Sequence, residues 1–161
     1  DTLQAAPSMA DVGTPAPQPR TTSPTSMMMV PPDESSYLEL SLRLDRYPED
    51  TAWSLSYTDQ FRTELYGTSP ADYATFLPYQ SILLYLPVEL EKTFVFVIYD
   101  SVGDGICCSF GDGQYRLSFV ERKNDGTFSS PQDITFGGIF GDMEETTFAI
   151  SAAGTVDILT V

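Results

Sequence analysis

The stretch "YLELSLRLD", residues 37–45, decides how this chain folds. Leu38, Leu40, Leu42 and Leu44 share one face of it, and Glu39, Ser41, Arg43 and Asp45 share the other. Successive side chains of a strand point to opposite faces, so this alternation predicts a half-buried β-strand. Trp53, Leu55 and Tyr57 alternate likewise after the turn-forming "RYPED" of residues 46–50, which predicts a hairpin between the first two strands. Further short β-branched or aromatic runs stand at Ser81 to Leu86, Phe94 to Tyr99, Gln114 to Glu121, Ile134 to Phe136, Thr146 to Ser151 and Val156 to Val161, separated by Gly, Pro, Asp and Asn. In "TFVFVIYD", residues 93–100, the apolar residues are nearly continuous, as in a central strand covered on both faces. About eight strands without a long helix predict an all-β fold, a β-sandwich of jelly-roll type. Residues 61–80 are less regular and read as a long loop or a single helical turn opening at Ser69-Pro70. Tyr66, Tyr73, Phe76 and Tyr79 in that segment either line a binding surface or cap the core.

The chain has 161 residues, long enough for one domain and a tail, and 42% of them are apolar, enough for a core. Eight basic against 23 acidic residues give a net charge of −15, which repels a nucleic-acid backbone and an anionic membrane alike. No histidine is present, which removes the usual general base, the commonest metal ligand and the ordinary nucleophile triads. Carboxylate-only hydrolysis is the chemistry left, and no spacing marks a working pair, so an enzyme is not expected. No apolar run reaches the roughly 18 residues that a membrane span needs. A start at Asp1 without an initiator Met or an apolar signal core suits a mature secreted protein.

Residues 1–36 carry seven of the 12 prolines and little apolar periodicity, so they are expected to form an extended arm, with residues 37–161 as the sandwich domain. Met27, Met28, Met29 and Val30 make an apolar cluster within the arm, suited to docking on a neighbouring subunit. Thr21, Thr22, Ser23, Thr25 and Ser26 flank Pro24 in a composition that suits O-linked sugars.

Residues 100–113, "DSVGDGICCSFGDG", form a loop between two strands. Asp100, Asp104 and Asp112 offer hard oxygens, and the glycines permit close backbone approach, so the loop reads as a calcium clamp completed by backbone carbonyls, water or a carboxylate of "DRYPED" (Asp45, Glu49 or Asp50). The competing reading is that Asp and Gly simply make tight turns, each carboxylate capping nearby amides. The spacing is not that of an EF-hand loop. For Cys107 and Cys108, the chain's two cysteines, three states stand open: free thiols, pairing between subunits, and a vicinal disulfide.

"LRLDRYPEDTAWSL" (42–55) followed by "FVFVIYDSVGDGICCSFGDGQYRL" (94–117) resembles a module recurrent in secreted and cell-surface proteins of diatoms, related algae and marine bacteria. The likeness covers residues 37 to 121 and rests on Trp53, Asp100, Gly103, Asp104, Gly105, Cys107, Cys108, Gly111, Gly113 and Tyr115. Members often carry a further cysteine before the Phe-x-Phe strand, where this chain has Lys92-Thr93-Phe94. That departure favours the vicinal or intersubunit pairing. The resemblance implies an extracellular β-sandwich used for attachment or surface architecture. Two functions follow as expectations: a structural subunit that self-associates into a surface filament, or a calcium-dependent adhesion module that binds polysaccharide through Tyr66, Tyr73, Tyr79 and Phe110.

Overall fold

A computed structural model describes residues 35–58 and 61–159. Nine strands run through them: β1 (Ser36–Arg43), β2 (Thr51–Tyr57), β3 (Thr63–Gly67), β4 (Ser81–Pro87), β5 (Lys92–Asp100), β6 (Gln114–Glu121), β7 (Gln132–Gly137), β8 (Met143–Ile150) and β9 (Val156–Leu159). They pair antiparallel in two sheets, β4-β1-β6-β7 and β3-β2-β5-β8-β9, packed face to face as a β-sandwich. Leu38, Leu40, Leu42, Leu117 and Phe119 of the first sheet meet Trp53, Leu55, Phe94, Phe96, Ile98 and Phe148 of the second, all buried. The leucine alternation of β1 therefore faces the core as read. Met27 to Val30 and the Ser/Thr cluster at 21–26 lie outside the described residues.

The expected β1–β2 hairpin is corrected: the two strands lie in different sheets. Residues 44–50 are longer than a tight hairpin turn, and they carry the chain across the roughly 10 Å between sheets. Leu44 and Asp45 turn into the interior, and a short 3-10 turn at Pro48–Asp50 redirects the chain into β2. The apolar faces of β1 and β2 thus oppose one another across the core. The irregular 61–80 segment holds the edge strand β3 and then a run of turns from Ser69 to Phe76.

Strand β5 is central in its sheet, and Val95 and Val97 on its outer face are buried too. Their cover is partly ionic: Arg62, just before β3, reaches across β2 and β5 to Glu145 on β8 at 3.2 Å. Small side chains beneath, Ser54 and Ser56, leave room for that crossing. A smaller aromatic cluster covers the outer face of the four-stranded sheet, where Tyr37 meets Tyr85 and Phe128 edge-on and those two rings stack at 4.6 Å.

Candidate functional site

Antiparallel pairing places four connections at one end of the sandwich: residues 44–50, 68–80, 101–113 and 138–142. The register fixes this, since Arg43 pairs with Ser81 and Gln114, Thr51 with Asp100, Tyr99 with Met143 and Tyr115 with Gly137. Backbone amides in irregular loops still need acceptors, and here the loops supply one another. Leu44 N–H donates to Gln80 O (3.0 Å), Tyr79 N–H to Asp45 O (2.9 Å), Arg46 N–H to Phe110 O (3.2 Å), Ser101 N–H to Asp50 O (2.9 Å) and Cys107 N–H to Gly138 O (2.9 Å). The result is one interlocked surface. Gly105 makes part of it feasible: its φ is +72°, and a Cβ there would stand 2.8 Å from Gly138 O.

This end is strongly acidic. Asp45, Glu49, Asp50, Asp72, Asp100, Asp104, Asp112 and Asp142 lie on its loops or at their strand ends, against Arg43 and Arg46. Two of these carboxylates are buried, Asp45 at 5% and Asp100 at 4% exposure. Asp45 Oδ1 accepts the Tyr47 amide at 2.7 Å, and Asp100 Oδ1 accepts those of Val102 (2.9 Å) and Gly103 (2.6 Å). Burial pushes the Asp45 carboxyl above its usual range against the pull of the Tyr47 amide, and the charges of Asp100, Asp104 and Asp50 push it further. Burial raises Asp100 as well, with Asp104 adding to the effect and the Gly103 and Val102 amides opposing it. Asp50 Oδ1 accepts the Ser101 hydroxyl at 2.9 Å. Directly across from Asp100 on the neighbouring strand, Thr51 is fully buried and its hydroxyl has no hydrogen-bond partner.

Of the set anticipated from sequence, Asp100, Asp104, Asp112 and Glu49, no three carboxylates lie within 4.8 Å of one another among the described residues. The charges of Asp100, Asp104 and Asp50 all act on Asp45, and that of Asp104 acts on Asp100. Glu49 is exposed and offers its backbone carbonyl to Ala71 N–H at 3.2 Å. Asp112 stands with the cysteines: among the described residues, the three potential ligand atoms that lie within 4.8 Å of one another are those of Cys107, Cys108 and Asp112. Those two sulfurs are joined as a vicinal disulfide across a cis peptide, which leaves them poor metal ligands and settles the three-way reading of the doublet.

An open groove of about 840 Å³ runs beside the disulfide along β6 and β7. Cys107, Asp112, Gln114, Arg116, Asp133, Phe136, Ile139 and Glu144 line it, with Phe136 72% and Ile139 81% exposed. Arg116 and Asp133 form a two-pronged pair, Nε to Oδ1 and a terminal nitrogen to Oδ2, both at 2.8 Å, and the Ser118 hydroxyl donates to Asp133 Oδ1 at 2.9 Å. Asp133 is held below the usual carboxylate range by Ser118 and Arg116. Sequence reading missed this groove because strict alternation puts Ile134 and Phe136 on one face. A β-bulge between Leu117 and Ser118 breaks the alternation: Ile134 enters the core and Phe136 turns outward opposite Arg116.

The four aromatics expected to touch a glycan divide. Tyr73 is corrected to a core residue, 5% exposed, its hydroxyl accepting the Trp53 indole N–H at 2.8 Å, so it has no face to offer a ligand. Tyr66 is half-buried, and its hydroxyl donates to Pro87 O at 3.0 Å. Tyr79 and Phe110 are exposed on the loop end, at 46% and 43%, Phe110 packing edge-on against Tyr47.

Fold and site together define a two-sheet antiparallel β-sandwich with an acidic, interlocked loop end and a lateral groove. Comparison with protein-family models, with curated proteins and with solved structures finds no match. Among the described residues, no helix is long and apolar enough to cross a membrane.

Proposed function

We propose that this chain is a non-catalytic extracellular adhesion module that binds a neutral polysaccharide in the groove between the disulfide loop and strand β7. The observation that carries the reading is Phe136: a large aromatic ring, 72% exposed, beside the oriented Arg116–Asp133 pair. Sugar rings present apolar faces and rims of hydroxyls, and sites for them combine an exposed hydrophobic platform with a few fixed polar groups. A net charge of −15 and the carboxylates of Asp112, Asp133 and Glu144 around the groove disfavour an anionic polymer, hence the neutral one. The extracellular placement draws on the resemblance of residues 37 to 121 to surface modules and on the vicinal disulfide. Affinity electrophoresis through gels containing neutral polysaccharides, run in calcium and in chelator, tests the reading. Retardation by at least one polymer that Phe136→Ala abolishes is expected, whereas equal mobility in every gel contradicts it.

A second reading, a subunit of a self-associating surface filament, is favoured by the sheet edge at β9, where Ile158 (50%) and Leu159 (42%) are exposed. Unpaired edge strands are ready templates for another chain. Light scattering with negative-stain imaging of the full chain distinguishes the two: long particles that Ile158→Lys disperses support the filament, and a monomer at all concentrations removes it.

A further inference from the structure

We infer that the loop end of the sandwich binds a divalent cation, calcium by its donor chemistry, among Asp45, Asp50, Asp100 and Asp104, with the Thr51 hydroxyl as a further ligand. This site is separate from the groove and does not rest on the polysaccharide reading.

Acidic clusters are common on surfaces, but two features set this one apart. Asp45 and Asp100 are 5% and 4% exposed, and the ion pairs found among the described residues, Arg62–Glu145, Lys92–Glu89 and Arg116–Asp133, all lie elsewhere. Carboxylates are rarely buried without a counter-charge. The second feature is independent of charge. Thr51 is 0% exposed with an unpartnered hydroxyl, and buried polar atoms are almost always hydrogen-bonded. Thr51 and Asp100 are cross-strand partners, and each lies two residues from a core-facing side chain, Trp53 and Ile98. Alternation therefore turns both inward, onto the same side at the end of the core. One cation there would satisfy the orphaned hydroxyl and neutralise the buried carboxylates together.

The donors choose the metal. All are hard oxygens, the sulfurs nearby are tied in a disulfide, and the chain has no histidine, which disfavours zinc and copper. Calcium takes about six to eight oxygens in adaptable geometry, including carboxylates, hydroxyls, backbone carbonyls and water, whereas magnesium demands a tight octahedron. The side chains are already oriented: amides of Tyr47, Val102 and Gly103 hold Asp45 and Asp100, and Ser101 holds Asp50. No three of these carboxylates lie within the 4.8 Å of one another that marks the Cys107–Cys108–Asp112 group, so the proposed site requires loops 44–50 and 101–113 to close around the ion as it binds.

Calorimetric titration of the full chain with calcium chloride, after chelator treatment, tests this alongside thermal melts in calcium and in chelator. A single calcium per chain and a higher melting temperature in calcium are expected. Thr51→Val and Asp104→Asn should each weaken binding about tenfold or more. Thr51→Val should do so without lowering the melting temperature in chelator, because a methyl replaces an unpartnered hydroxyl. Exposed Glu49→Gln should bind like the parent chain. Absence of both binding heat and a melting shift overturns the site, as does normal affinity in both Thr51→Val and Asp104→Asn. Either result leaves the groove reading to its own test in chelator.

Discussion

Tyr85 and Tyr115 show how single side chains report on this fold. Burial, followed for Tyr85 by the carboxylate of Glu39, pushes its phenol up to about 12. Burial, with Glu144 adding and Thr135 opposing, does the same for Tyr115. A phenol raised from 10.0 favours the fold fully below pH 10 and loses that stabilisation as pH rises through about 12. An absorbance titration of tyrosinate followed together with circular dichroism should therefore show a last tyrosine step that coincides with loss of β-structure. Complete ionisation near pH 10 with the fold intact would contradict the packing described for both rings. At this scale the sequence was partly legible. Asp100 and Asp104 were marked by their Gly-rich loop, but nothing in "SPADYATF" distinguishes buried Tyr73 from a surface ring, because its partner, the Trp53 indole, is 20 residues away. Thr51, now the most informative residue of the acidic end, looks like any strand threonine until its missing hydrogen-bond partner is seen.

Elements with one buried face were readable from period-two alternation, and β6 runs over Gln114–Glu121 as anticipated. Strand β3, "TELYG", escaped because an exposed edge strand needs no apolar face, and all its residues are exposed or half-buried. The false β1–β2 hairpin has a related cause: alternation shows which face of a strand is buried but not which sheet it joins. The bulge in β6–β7 is the most consequential irregularity, since it alone aims Phe136 into the groove. The disulfide loop makes its own prediction. Loop-closure entropy depends on the length of chain enclosed, and adjacent cysteines enclose almost none, so reduction should cost only about 1 kcal/mol of global stability. Its effect should instead appear in the groove that Cys107 lines. Chemical denaturation with and without reductant checks this, and a loss of several kcal/mol would show that the doublet holds the fold.

For the whole molecule, composition announced an acidic β-protein, yet the gathering of four acidic loops at one end follows from strand order alone and was not legible beforehand. The sandwich supplies a rigid base, and the loops at that end are tied to one another through backbone hydrogen bonds. Sites built on such scaffolds are held in shape without stiffening the loops themselves. On this account the groove beside the loop end carries binding. The most direct test is an amide-resolved NMR titration of the full chain with fragments of whichever neutral polysaccharide retards it in the gel. The account predicts shifts concentrated at residues 107–116 and 133–144, with the opposite end unchanged. Shifts centred instead on β9, or on the β4–β5 and β6–β7 connections at the far end, would contradict it.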